Sequence, residues 1–281
     1  MLTTPAWAVD AKPASEIVDT ATVETIRPVS AFYSIEAGSA HIADTYLTPI
    51  KYSGWHTGFD YSRSQAMKFS PEKWTMHLNL SLGFDRVLNG IRNHSMLNGE
   101  LKAKWGMTRR WKLPYNLSVG VGAQAQLMAG CLYLDRGGNN PASAKASFTL
   151  GLMGYAAWQC NLGKIPVTLR YQPSLPVTGV FFAPDYGELY YEIYLGNHSG
   201  LAHWAHWGNY FSFNHELTAD LRFGATTLRI GYKGAAYSTD VNHTVTNIFT
   251  HAAVLGVGGE WISLNPRKKL SADARIISAT Y

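Results

Sequence analysis

The amino-acid sequence predicts an all-β protein: a transmembrane antiparallel up-and-down β-barrel of ten strands, with twelve as the alternative. Three observations predict it. Apolar and polar residues alternate with a period of two in segment after segment, the mark of a strand with unlike faces. Aromatic residues bracket those segments at the spacing of a lipid layer. The third is composition: the chain of 281 residues is only 15% charged yet carries 9 Trp, 16 Tyr and 11 Phe. That is too little charge to cover a water-soluble domain. No stretch approaches the ~20 apolar residues a membrane helix needs, so any crossing of a bilayer is made by strands.

The alternation is plainest where Trp74, Met76, Leu78, Leu80, Leu82 and Phe84 share one face and Thr75, His77, Asn79, Ser81 and Asp85 the other. Leu97, Leu101, Ala103, Trp105 and Met107 then oppose Asn98, Glu100, Lys102 and Lys104. Odd positions from Leu117 to Tyr133 are apolar, with Gly120, Gly122, Gln124 and Gln126 between them. The pattern returns from Ala146 to Trp158, Phe211 to Phe223, Leu228 to Ala236 and Phe249 to Trp261. Expected strands are 30–41, 50–62, 72–85, 95–108, 115–133, 143–161, 165–173, 208–223, 226–238 and 247–262. Ten is an even number, with both chain ends on the periplasmic side, as in bacterial barrels.

Trp74 and Phe84 are ten residues apart, as are Phe148 and Trp158. At ~3.3 Å per residue and a ~45° tilt, ten residues rise roughly 23–25 Å, the height of the apolar band between two aromatic girdles. Trp74, Phe84, Trp105, Tyr133, Phe148, Trp158, Phe223, Phe249 and Trp261 are therefore read as aromatics at the lipid interface. Outer-membrane lipids are the expected surroundings and the bacterial outer membrane the expected location.

A two-residue turn at Gly224-Ala225 makes paired residue numbers sum to 449. Asp220 then faces Arg229, and Glu216 faces Lys233, while Leu221, Ala219 and Leu217 face Leu228, Ile230 and Tyr232. Two opposite-charge pairs and three apolar pairs follow from one register, which cross-strand energetics favours. A similar turn at 162–163 sets Tyr155 across from Arg170. These tight turns fall on the periplasmic side, and the longer connections 86–94, 134–142 and 239–246 on the outside. The polar faces supply a lumen lining of Glu100, Lys102, Lys104, Gln124, Arg170, Glu216, Asp220, Arg229 and Lys233. Such charges either line a conduit or fill a narrow barrel as paired salt bridges, and a ten-stranded interior favours filling.

The segment 174–207 is too long for a turn; it is either a loop or plug, or an added hairpin. Residues 1–8 end in Ala6-Trp7-Ala8, a small-x-small pattern read as the remnant of a signal peptide. Residues 9–29 are read as a periplasmic tail, 30–264 as the barrel and 265–281 as a C-terminal tail. The net charge of +5 and pI near 9.1 come from scattered residues, with one run at Arg267-Lys268-Lys269. Nucleic acid is not indicated, because basic and stacked aromatic residues do not combine as in such modules.

Two stretches carry a resemblance: Pro176-Val-Thr-Gly-Val-Phe-Phe-Ala-Pro-Asp-Tyr-Gly-Glu-Leu-Tyr-Tyr-Glu-Ile193, and Tyr46-Leu-Thr-Pro-Ile-Lys-Tyr-Ser-Gly54. With them, most of 30–262 resembles a family of uncharacterised outer-membrane β-barrel proteins from Bacteroides-type bacteria. That resemblance implies a barrel with no assigned activity and no catalytic residues to carry over.

The densest His and aromatic cluster is Asn197-His198-Ser199-Gly200 with His203-Trp204-Ala205-His206-Trp207. One reading is a lipid hydrolase, with His198 or His203 as base, Ser199 as nucleophile and Glu192 as orienter, since a triad is defined by geometry. The other is a belt at headgroup level, favoured because no nucleophile motif surrounds Ser199. His203 and His206 lack a third metal ligand, and no cofactor is expected. Gly120 and Gly122 lie inside a strand and are read as leaving lumen space for large side chains. Cys131 and Cys160 both point to lipid far apart along their strands and are expected to be free thiols. Two functions follow: a scaffold or subunit of an envelope complex, or a narrow pore, with a lipid-modifying hydrolase as the alternative.

Overall fold

The computed structural model describes residues 25–136, 138, 140–262 and 275–279. Thirteen strands occur among them: β1 Thr25–Ile26, β2 Val29–Asp44, β3 Thr48–Ala66, β4 Trp74–Asn89, β5 Ser95–Leu113, β6 Leu117–Leu134, β7 Ala142–Leu162, β8 Ile165–Phe182, β9 Ala202–Ala205, β10 Tyr210–Phe223, β11 Thr226–Val241, β12 Thr244–Trp261 and β13 Arg275–Ile276. One short helix, α1, spans Tyr190–Tyr194. Ten strands, β2–β8 and β10–β12, pair antiparallel with their sequence neighbours. β12 returns to β2 through Thr246↔Asp44 to Trp261↔Val29, so the sheet closes on itself. A closed ten-stranded barrel results, and closure leaves no edge strand among the ten.

Side-chain direction follows the two-residue period. Leu80, Val121 and Leu152 point outward and remain 41%, 57% and 54% exposed, with no second protein layer over them. Exposing so continuous an apolar surface to water is unfavourable, and such an exterior suits an apolar surrounding. Phe84, Trp105, Tyr133, Phe148, Trp158, Phe223, Phe249 and Trp261 are all exposed, and Trp74 lies half-buried on the same outer face of β4. Trp55, Phe59 and Trp111 join them outside. Cys131, outward on β6 and paired with Ala144, and Cys160, paired with Val167 at the other end of β7, are free thiols.

Turn chemistry fixes the register. Gly224 has φ +65°, and Phe223↔Thr226 starts the pairing that sums to 449, as expected. The earlier turn differs: Leu162 pairs with Ile165, so Gly163 (φ +63°) and Lys164 form the turn, one residue later than 162–163. Glycine takes the left-handed first turn position at no steric cost. This shift puts Arg170 opposite Ala157, not Tyr155. The connection expected at 239–246 is a two-residue turn, Asn242-His243, with φ of 52° and 57°. Asparagine tolerates that conformation, and the strands run further than their apolar pattern does.

β8 also runs nine residues past the expected end at 173. Pro173 and Pro176 mark a strand stop, but a register shift at Leu150/Gly151 skips Val177, and that bulge admits the prolines and reverses the inside–outside phase. Above the bulge β9 pairs with β8, and below it β10 does. The short strand thus occupies the slot above β10, and the long segment adds no hairpin to the barrel. Of the expected loop 174–207, the stretches 183–201 and 206–207 remain outside the sheet.

Candidate functional site

The lumen is filled in layers. At the end bearing the longer loops, Ile42, Tyr52, Val87, Met96, Met128, Leu132, Phe181, Tyr210, Tyr237 and Ile248 pack inside the barrel as one apolar cluster. Phe181 and Tyr210 rings lie 5.2 Å apart, and Tyr210 meets Tyr237 edge-on at 5.5 Å. An alternating strand normally turns polar residues into a membrane barrel's interior. Here the final turns of the strands reverse that rule and make an apolar seal.

The stretch 183–201 lies over this seal. The Tyr46 hydroxyl donates to the Glu188 carbonyl at 2.6 Å, and Asn140 donates to the Tyr46 oxygen. The Ala144 amide donates to the Tyr190 hydroxyl oxygen at 2.6 Å. Asn242 donates to the carbonyls of Ala183 (3.2 Å) and Gly200 (3.0 Å). Four different parts of the rim therefore hold the lid. Burial raises the Tyr46 hydroxyl above its ordinary value of 10 and pushes Tyr190 up to about 12.

Below the seal lies a charged network. The Lys233 ammonium bonds the Glu36 carboxylate and sits 2.7 Å from Asp60. His56 bridges Glu36 (3.4 Å) and Asp85 (2.5 Å), and Asn98 donates to Asp85 at 2.7 Å. The chain of contacts follows the wall through β2, β3, β4 and β5, and Lys233 of β11 bridges to it over a chord of the lumen. Glu100 and Lys102 pair with each other on β5. Nearer the tight-turn end, Arg229 clamps Asp220 with two bonds of 2.7 and 2.8 Å and lies 3.8 Å from the centre of the Phe32 ring. Arg170 stacks 4.6 Å from the Tyr155 ring centre. A Cβ on Gly120 would overlap that ring, so this glycine does leave room for a large side chain. Gly122 serves a different need: its hydrogen faces the β5 backbone, where a Cβ would come 2.7 Å from the Thr108 Cα.

Of the residues read as lumen lining, Asp220 and Arg229 are joined as the register implies. Glu216 and Lys233 are register partners, yet their charges are not paired. Lys233 reaches across to Glu36 and Asp60, and Glu216 comes within 3.9 Å of Arg229. A narrow closed barrel brings opposite walls as near as adjacent strands. Lys104 and Gln124 face a central chamber. Glu36, His56, Asp60, Asp85, Asp44 and Lys145 complete the interior chemistry. Their polar-face positions are visible in the alternation; His56 and Asp85 are register partners on adjacent strands, whereas Lys145 meets Asp44, and Lys233 meets Glu36 and Asp60, across strands that are not neighbours, where hairpin arithmetic does not reach.

At the tight-turn end, residues 275–279, within the segment read as a tail, lie against the mouth. β13 pairs parallel with β1, Arg110 donates to the Ser278 carbonyl at 2.7 Å, and Ser278 bonds Glu260.

The hydrolase candidates are not assembled. Glu192 accepts from the Leu189 amide at 3.0 Å, capping α1. His198 and Ser199 are exposed, and among the described residues no hydrogen bond links them to each other or to Glu192. His203 contacts the Ala183 carbonyl at 3.1 Å, and His206 accepts from the Gly208 amide at 3.0 Å. No group of three metal-ligating side chains occurs among the described residues.

A family described as a protein of unknown function, DUF3316, matches residues 4–268. The chain belongs to that family. No curated protein sequence matches this DUF3316 chain. Among solved structures it is similar to Neisserial surface protein A, at 11% identity over 83% of this chain and 99% of that one, with a TM-score of 0.34. The translocator domain of the autotransporter NalP from Neisseria meningitidis gives 10% identity, coverage of 86% and 90%, and a TM-score of 0.36. The β-domain of the Bordetella autotransporter BrkA gives 11%, 83% and 100%, and 0.38.

Proposed function

We propose that this DUF3316 chain is a bacterial outer-membrane barrel that serves as a closed scaffold or subunit of an envelope complex. Its tight-turn end faces the periplasm, its exterior meets outer-membrane lipids, and its lid faces outward, where other outer-membrane proteins are the partners to expect. The observation that carries this reading is the occupied lumen. Three interior chambers along it measure about 50, 40 and 40 Å³. Each is a small space left between side chains that fill the interior. A narrow pore needs a continuous water path, which the apolar seal and the crossing ion pairs interrupt.

Single-channel recording in planar bilayers tests the proposal. Purified protein is expected to insert without discrete conductance steps; reproducible steps from well-folded protein overturn the closed reading in favour of the pore. For the hydrolase alternative, Ser199→Ala is compared with the parent protein for phospholipid and lipid A turnover. Turnover by the parent that disappears in the variant would replace the scaffold with an enzyme.

A further inference from the structure

Lys104 stands apart from the other ammonium groups inside the barrel. Lys102 has Glu100, Lys145 has Asp44, and Lys233 has both Glu36 and Asp60. Among the described residues, no carboxylate lies within 4.0 Å of the Lys104 ammonium, and no hydrogen bond occupies it. Beside it, the buried Gln124 amide nitrogen also has no hydrogen-bond acceptor. Both residues line the same central chamber, of about 50 Å³. One wall carries Glu216, whose carboxylate leans to Arg229 at 3.9 Å. His77 is not a free donor, since Ser64 and Thr108 engage its two ring nitrogens at 2.9 Å each.

We propose that this chamber binds a single halide ion, held between the Lys104 ammonium and the Gln124 side-chain amide. The chemistry is set by three features. Buried polar donors are almost always matched by acceptors, and both of these point into shared space. An ammonium inside the barrel without a close counter-charge is unfavourable, and a water in its place supplies an acceptor but no negative charge. The chamber of about 50 Å³ is small, and a monatomic anion is met by the two free donors it offers, whereas phosphate would bring four oxygens to them. Asn79 lines the same space and offers a further amide donor. The halide completes the interior packing of a closed barrel. The inference does not rest on the scaffold reading, because it is read from ion binding and not from conductance.

The test uses the purified full chain folded in detergent micelles. Melting is followed in sodium chloride and in sodium gluconate at equal ionic strength. Chloride is expected to raise the midpoint saturably by roughly 2–4 °C, the shift a ligand of modest affinity gives a chain of this size. Bromide should reproduce the rise and phosphate should not, and Lys104→Met and Gln124→Leu should each abolish it. Identical melting in chloride and gluconate, or a rise that persists in Lys104→Met, overturns the proposal. Should the variants fail to fold, crystals of the unaltered protein grown in sodium bromide decide the matter. An anomalous peak beside Lys104 supports the site; water there, with no anomalous signal, overturns it.

Discussion

Lys145 on β7 places its ammonium 2.7 Å from the Asp44 carboxylate at the end of β2, joining two strands that are not neighbours in the barrel. Asp44 is fully buried, and the same carboxylate oxygen accepts from Thr246 at 3.0 Å. Its other oxygen accepts from the amides of Tyr46 and Leu47, holding the turn beneath the lid. One ion pair thus braces the wall across the lumen and fixes the rim on which the lid rests.

Removing one partner strands the other. Lys145→Met leaves a buried carboxylate without its cation and is expected to cost about 3–5 kcal/mol. Adding Asp44→Asn, which removes the charge while keeping an acceptor for the turn amides, should recover part of that loss. Urea unfolding of the single and double variants in micelles measures both. Equal stability of Lys145→Met and the parent would show that the pair contributes nothing.

The lid is not the only seal. Deleting residues 184–200 leaves the apolar cluster around Phe181 and Tyr210 and the Glu36–Lys233–Asp60 crossing in place. The shortened protein is expected to remain silent in planar bilayers. Steps appearing on lid deletion alone would mean that the lid carries the closure by itself.

The outer face is tested by charge. Leu152→Arg puts a cation on the middle of the surface proposed to face lipid and is expected to destabilise the barrel by about 2–4 kcal/mol when unfolded from vesicles. Leu152→Met, nearly the same volume and still apolar, should stay under about 1.5 kcal/mol. If arginine is tolerated as well as methionine, that face does not meet acyl chains.

The lid has an alkaline limit. Tyr190 accepts a hydrogen bond in its neutral, docked form, and burial holds it neutral up to about pH 12. Once the lid is released, the phenol titrates near its ordinary 10. A group whose value is raised on docking stabilises the docked state below its free value and loses that contribution as pH rises toward its docked one. Docking should therefore be insensitive to pH through neutrality and weaken between about pH 10 and 12. Protease cleavage within 190–200, followed against pH, reads this directly. Tyr190→Phe, which has no proton to lose, should shrink the alkaline component.

Much of the barrel was legible because period-two alternation is a local property. Leu80 and Ser81 must face opposite sides of any strand that holds them. The glycine turn at 224–225 carries its own register, so Asp220 and Arg229 met as the numbering implies. Legibility ended where the period broke. Val177 is skipped by a bulge, and beyond it the inside residues change parity, so Phe181 reads as outside on the phase set by Arg170. The apolar seal was hidden for a related reason: Ile42, Met96 and Met128 occupy polar-face positions, and nothing in their neighbours announces that the interior becomes apolar there.

From the sequence alone came the fold class, the number of strands and the choice of which residues face outward, because each depends on nearest neighbours along the chain and on the length of the alternating segments. Tertiary structure alone decided what fills the lumen. The partners of Lys233 and Lys145 lie on strands separated by long stretches of chain, and closing the sheet brings their charges within hydrogen-bonding distance. A narrow cylinder makes opposite walls neighbours, and that adjacency exists only after the last strand has found the first.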